Sequence, residues 1–457
     1  MNPCQQNEEI PLSEGDVNLS PRRRQWQREA IGAETARWLE EDTRYFLHQS
    51  LSTPCLDVLA KCSGSYLEDL NGRRFLDFHG NSAHQVGFGH PKVAEAIKRQ
   101  MDLLPFCPRR YTNIPAIRLA KRLASLAPGR LKKVLFAPGG AEAIGIALKL
   151  ARMASGRFKT ISMWDSFHGA TLEAISVGGE ALFRQGVGPL LPGTEHVPPP
   201  TPAHCIFGCN GDCTLRCADY VEMVMEREGD IAAVVAEPIR CTLAALPPAD
   251  YWPRIREICN RHGALLIFDE IPVCLGRTGS MFACETIAVT PDILVIGKGL
   301  GGGFFPMAAV IAREDLDVAG DHALGHYTHE KSPLGAAAAL ATLDVIEEEK
   351  LLDHVREMGA YTLQRLRSLQ HRFGLISEVR GVGLQLALEL ARGRKPANDE
   401  ADGLMYAALE RGLSFKVSSG NVITLTPPLT ITLAEMDQAL EILEECLAGE
   451  LAASTPR

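Results

Sequence analysis

The chain reads as a large α/β domain built on a mainly parallel, doubly wound sheet, followed by a smaller α+β C-terminal domain. Three observations predict this. Short apolar runs alternate with helical patterns over much of the chain, and that alternation produces a parallel sheet covered by helices. Two of the runs end in groups that carry chemistry, Asp269 and Lys298, as strands do where open α/β sheets bind ligands beyond their C-terminal ends. At 457 residues the chain is long enough for a large core and for two domains.

Residues 1 to about 20 are polar and read as a loose tail. Arg22-Arg23-Arg24 opens a helical stretch to about residue 48, with Trp26, Trp38 and Phe46 expected to pack. The triple arginine is most simply a solvated helix start. Strand-like runs follow at 74–78, 134–137, 160–163, 232–236, 264–268 and 293–296, with helical patterns at 141–154 and 251–262 between them. Pro198-Pro-Pro200 and Pro202 mark an irregular excursion after Glu195. From about Gly335 an alanine-rich helix leads into the C-terminal part. The expected division is therefore 1–70 for an N-terminal tail and helical segment packing on the small domain or a partner subunit, 71–335 for the large domain, and 336–457 for the small one.

Composition excludes several classes. Hydrophobic residues make up 46% and charged residues 23%, and the net charge is −9, which argues against a nucleic-acid surface. The first residues lack the basic and apolar regions of a signal peptide. No apolar run approaches a membrane span. The 13 cysteines are scattered and odd in number, so they read as thiols of a cytoplasmic protein, not as a disulfide framework.

Chemistry concentrates at the two strand ends. In Ile293-Leu-Val-Ile-Gly-Lys-Gly-Leu-Gly-Gly-Gly303 one lysine stands where a buried strand meets a glycine turn. Desolvation there favours a neutral, nucleophilic amine, the kind that forms Schiff bases with carbonyls such as the aldehyde of pyridoxal phosphate (PLP). A solvated loop lysine is the plainer alternative. Asp269 ends the run 264–268 and sits 298 − 269 = 29 residues before Lys298, room for a crossover between neighbouring strands. A PLP site needs such a carboxylate to keep the pyridine nitrogen protonated; a helix N-cap is the alternative. Gly139-Gly140 between a strand and a helix start suits a phosphate at free backbone N–H groups. Phe167, after the run 160–163, suits stacking on a flat ring or simple core packing.

Taken in order, Asp77-Phe78 with Gly87-Phe-Gly-His-Pro91, Gly140-Ala-Glu-Ala143, Phe167-His-Gly169, Glu237-Pro-Ile239, Asp269-Glu-Ile271 with Gly276-Arg-Thr-Gly279, Gly297-Lys-Gly299 and Pro427-Pro-Leu429 resemble the class III (ω-type) aminotransferases of PLP fold type I. The resemblance covers about residues 65–447. It implies PLP as cofactor, Lys298 as its Schiff-base lysine and Asp269 as the partner of the pyridine nitrogen. Phe167 would stack on one ring face, with His168 beside it among the cofactor contacts, and Ile271 would pack on the other face. Gly140 and Ala141 would offer N–H groups to the phosphate, Glu237 would lie near the ring hydroxyl, and Thr328 would reach the phosphate of the other subunit in a homodimer whose active sites lie at the interface.

Departures from the family pattern narrow the function. Pro272 replaces a glutamine and cannot donate a hydrogen bond. Gly139 and Ala141 replace hydroxyl residues of the phosphate loop, so that phosphate binding leans on backbone. Thr424 stands where many members acting on α-amino or α-keto acids carry an arginine, and it cannot clamp a carboxylate through two parallel bonds. Arg109, Arg110 and Tyr111 in one loop, and Arg240 after Glu237-Pro-Ile239, are the candidates for a substrate anion; ordinary salt bridging is the alternative for each arginine. The segments 106–113, 237–241, 325–333 and 414–421 together resemble the branch of ammonia-lyases in phosphonate catabolism that act on (R)-1-hydroxy-2-aminoethylphosphonate. That resemblance implies elimination of the β-hydroxyl from a small aminophosphonate, giving phosphonoacetaldehyde and ammonia. An ω-aminotransferase passing an amino group from a small amine to a keto acid is the alternative enzyme. A non-enzymatic scaffold fits poorly with an intact Lys298 and Asp269. Finally, Cys205, Cys209, Cys213 and Cys217 recur at three-residue gaps, a spacing unusual for structural zinc but open to it.

Overall fold

In a computed structural model of the chain, residues 20–209 and 213–454 are described. Seven strands form the large sheet in the order Leu131–Ala137, Ala308–Arg313, Ile293–Ile296, Leu265–Asp269, Ile231–Ala236, Lys159–Met163 and Thr194–Val197. The last five in this order run parallel. Ala308–Arg313 is antiparallel to both of its neighbours. The expected alternation of strand and helix thus yields a mainly parallel sheet, with one reversed strand set between two of the others.

The central strands are buried along their whole length, as strands covered on both faces must be. Alternation along each strand divides the core into two layers. Val235, Ile267 and Val295 pack with Ile144, Ala147 and Leu148 of helix Gly140–Ser155. Val234, Leu266, Phe268 and Leu294 share the opposite layer with Trp252, Ile255 and Ile258 of helix Tyr251–His262. Trp252 lies edge-on to Phe268, with ring centres 4.9 Å apart, and its indole N–H donates to the Pro238 carbonyl at 2.8 Å.

Several elements differ from the sequence expectation. Strand Arg74–Asp77 does not enter the large sheet; it pairs with Tyr66–Asp69 and, in parallel, with Leu413–Ser414. Two strands of the large sheet lay outside the predicted set. Ala308–Arg313 is alanine-rich and carries few of the β-branched residues that signal a strand, and three of the four residues of Thr194–Val197 are polar. The N-terminal helical stretch breaks into Pro21–Ala30 and Ala33–Tyr45. Trp26 packs with Phe75, Tyr406 and Leu409 as expected, but Trp38 and Phe46 are 48% and 65% exposed.

The C-terminal part forms an antiparallel sheet of Ile376–Val382, Gln385–Arg392, Val422–Leu425 and Lys416–Ser418, flanked by helices Leu351–Arg372, Asn398–Glu410 and Leu433–Ser454. Arg277, fully buried, joins it to the large sheet's loops by donating to the carbonyls of Leu384 and Pro427. Among the described residues no helix is long and apolar enough to cross a membrane.

Candidate active site

Asp269 and Lys298 come together because their strands are parallel neighbours, with Asp269 opposite Val295 in register. Both line a cavity of about 490 Å³ that also meets strands of the C-terminal part through Lys416, Thr424 and Thr426. That volume is in the range of small-ligand and cofactor sites, roughly 300–1,000 Å³. Lys298 opens a short turn and holds φ at +45°. For a residue with a side chain this left-handed backbone costs about 1–3 kcal/mol, and such strain gathers at functional sites.

Asp269 is buried and held from two sides. Its Oδ2 lies 2.7 Å from His168 Nδ1, and its Oδ1 accepts the Ile271 N–H at 3.1 Å. With Asp269 ionised, the proton of that imidazole nitrogen points at the carboxylate. The other imidazole nitrogen is 3.5 Å from Ser162 Oγ. His168 is itself buried and lines the cavity. The sequence reading placed it among cofactor contacts; the geometry adds that it orients the carboxylate.

Gly140 and Ala141 also line the cavity, at the start of helix Gly140–Ser155. The first N–H groups of a helix have no partner within it. A Cβ added at Gly140 would fall 2.7 Å from Ile271 Cδ1, so glycine is what lets Ile271 pack against the loop. Phe167 also lines the cavity, its ring 4.4 Å from that of Phe183. Glu237 lines the cavity and accepts the Cys241 N–H at 3.2 Å. Burial pushes its carboxyl above the usual range, against the pull of Arg240 and His168.

These residues fit pyridoxal phosphate. A helix start with free N–H groups suits the phosphate, Phe167 and Ile271 offer apolar surfaces for a ring, Asp269 suits its nitrogen, and Lys298 suits its aldehyde.

The remaining sequence candidates lie elsewhere in this chain. Arg109 lines a separate cavity and pairs with Glu330 at 3.3 Å, while Arg110, Tyr111 and Thr328 are exposed. Arg240 points at Asp165, donating to its carbonyl beside the cavity wall. Cys205 and Cys209 are half-buried, Cys213 is exposed and Cys217 buried. Hydrogen bonding from Thr214 pulls the Cys209 thiol down to about 7, whereas burial pushes Cys217 up to about 11. Among the described residues the one set of three metal-ligating side chains with donor atoms within 4.8 Å of one another is Glu222, Glu226 and His262, not these cysteines. Glu222 is already paired with Arg254 and Arg261. His79, Lys416 and Thr426 are lining residues the sequence reading did not single out; Lys416 lies within segment 414–421, which it had matched.

The aminotransferase class-III family model matches residues 48–447. The chain is 47% identical to an (R)-1-hydroxy-2-aminoethylphosphonate ammonia-lyase of Vibrio splendidus, over 95% of both chains. It is 33% identical to an alanine/serine racemase of Pyrococcus horikoshii, over 86% of both. Among solved structures, a PLP-bound amine transaminase from an uncultivated Pseudomonas species superposes with a TM-score of 0.83 at 33% identity, covering 89% of this chain and 98% of that one. The fold is PLP fold type I, and with more than four-fifths of its length matched, the chain belongs to the class III aminotransferase family.

Proposed function

We propose that this protein is a PLP-dependent ammonia-lyase that converts (R)-1-hydroxy-2-aminoethylphosphonate to phosphonoacetaldehyde and ammonia. The observation that carries the reading is the 47% identity to a lyase of that name along nearly the whole of both chains. The site supports it. Among the described residues no arginine lines the Lys298 cavity, so these supply no bidentate clamp for the carboxylate of a keto-acid acceptor. The Thr424 hydroxyl, at the position where many members of the family carry such an arginine, is committed to the Thr242 carbonyl at 2.9 Å.

Bound PLP supplies an electron sink for charge developing at the amine-bearing carbon. Asp269, held by His168 and the Ile271 N–H, would keep the pyridine nitrogen protonated. The Lys298 amine would serve as general base toward the amine-bearing carbon of the substrate. The Lys298 ammonium would then pass that proton to the neighbouring hydroxyl, which would leave as water. Addition of water to the product releases ammonia and leaves the aldehyde, and the overall equation balances as substrate to phosphonoacetaldehyde plus ammonia.

We infer further that the enzyme works as a homodimer with active sites at the interface. Thr328, Arg109, Arg110 and Tyr111 are exposed on one chain, and their two loops are tied together by Arg109–Glu330, by Asn113 donating to the Lys331 carbonyl at 2.9 Å, and by the Phe106–His329 ring contact. Side chains bound this way would reach a partner's cavity as one unit. The exposed Trp38 and Phe46 supply apolar surface for the same contact. The division at 70 and 335 fits with it: the first helix packs on helix Asn398–Glu410, and the second carries the exposed Trp38. Every described cysteine is free, which suits the reducing cytoplasm.

The test is to incubate the holoenzyme with racemic substrate and no keto acid, then assay ammonia and phosphonoacetaldehyde. Catalytic release of both, stopping at half the racemate, supports the reading. Turnover that appears only when a keto acid is added refutes it and makes the protein an aminotransferase.

A further inference from the structure

The phosphonate reading leaves one question open within a single chain, namely what balances the substrate's negative charge. Lys298 is taken by the chemistry. Among the other described residues lining the cavity there is one further lysine or arginine, Lys416. It lies on the short strand Lys416–Ser418, which runs antiparallel to Val422–Leu425 with Lys416 directly opposite Thr424. Residues opposite each other in a sheet project to the same face. Lys416 therefore shares its face with Thr424, which also lines the cavity.

Two neighbours prepare this wall for an anion. The Thr242 hydroxyl is buried, lines the cavity and has no hydrogen-bond partner. An orphaned buried hydroxyl costs stability unless a ligand satisfies it. His79 lines the cavity with both lysines. Burial, then Lys416, then Lys298 push its imidazole down to about 3, so at neutral pH it adds no charge of its own. The positive charge on this wall, away from the Lys298 amine, is then that of Lys416.

Resting on the phosphonate reading above, we propose that Lys416 binds the substrate's phosphonate, with the Thr242 hydroxyl donating to one of its oxygens. The amine end reaches toward Lys298 and the anionic end toward the C-terminal part's strands. Lys416 thus sets specificity by charge: a small amine bearing a phosphonate is held at both ends, and its neutral counterpart at one.

The test compares 2-aminoethylphosphonate with propylamine, a neutral amine of similar size, by titrating each into the holoenzyme and following cofactor absorbance. The wild type is expected to bind the phosphonate more tightly. In Lys416→Gln that preference should fall by about 10- to 100-fold, the range of one charge-assisted hydrogen bond, with propylamine affinity unchanged. Lys416→Arg should keep most of the preference, and Thr242→Val should lose part of it. If Lys416→Gln disturbs the cofactor spectrum before any amine is added, the arginine and valine variants decide: both matching the wild type, or both losing propylamine binding as well, overturns the assignment. A preference that survives intact in Lys416→Gln also overturns it while leaving the lyase reading untouched. A wild type with no preference for the phosphonate overturns both.

Discussion

Replacing His168 with leucine should slow turnover while leaving the fold in place. The imidazole and the Asp269 carboxylate are both buried, and they meet at 2.7 Å. Leucine leaves the carboxylate with the Ile271 N–H at 3.1 Å as its remaining partner of those two. A hydrogen bond to a buried charge contributes about 1.5–3 kcal/mol, and about 1.4 kcal/mol corresponds to a factor of ten. The expected loss is therefore roughly 10- to 150-fold in kcat, with a parallel loss of cofactor affinity. Ammonia release gives kcat and KM, and titration of the apoenzyme with PLP gives affinity. Because His168 acts through Asp269, KM for the amine should change little. Glutamine, which keeps an N–H donor, should recover part of the loss. A leucine variant within twofold of wild type in both kcat and cofactor affinity would refute the positioning role.

Three further outcomes are expected. Lys298→Ala should lose turnover by about 10²–10⁴-fold or more, the contribution of a positioned base, and should lose the absorbance of lysine-bound PLP; retention of both would remove Lys298 from the mechanism. Gly169→Ala should weaken cofactor binding about tenfold, because φ there is +122° and the new Cβ would sit 2.5 Å from Ala141 Cβ at the phosphate cup; affinity equal to wild type would show that the loop gives way freely. Burial, with Arg277 nearby, pushes His84 down to about 3 from 6.5. Between those values the unfolded chain binds one more proton than the folded one, so stability rises with pH across the window and is lost on acidification, by up to about 1.4 kcal/mol per pH unit. His84→Gln should flatten the pH dependence of the denaturant midpoint from about pH 4.5 to 6, and an unchanged slope would show that the imidazole does not titrate this way.

The apolar runs at 264–268 and 293–296 were legible because burial on both faces demands an unbroken hydrophobic string, and with them came Asp269 and Lys298 at the strand ends. The glycine turn before helix Gly140–Ser155 was legible for a similar local reason: backbone approach there requires the absence of a side chain. What the sequence by itself determined is thus the class of sheet, the cofactor it accommodates and the two strand-end residues, Asp269 and Lys298, on which the proposed chemistry rests.

Other features exist only as long-range contacts. Ala308–Arg313 reads as a weak strand on its own and gains its place by pairing between two others. Its reversed direction follows from connection geometry that no local pattern records. His168 and Asp269 are 101 residues apart, and nothing in either neighbourhood announces the other. Trp38 and Phe46 read as core by residue type, yet Trp38 on helix Ala33–Tyr45 and Phe46 just after it are exposed, because which face of a helix is covered depends on what packs against it. Lys416 became a candidate only once its strand was registered against Thr424, because a shift of one residue would have sent its side chain to the other face of the sheet. Residue type and local period set which elements form and which groups end them; only the tertiary structure, through pairing register and packing, decided which of those groups face one another across the cavity.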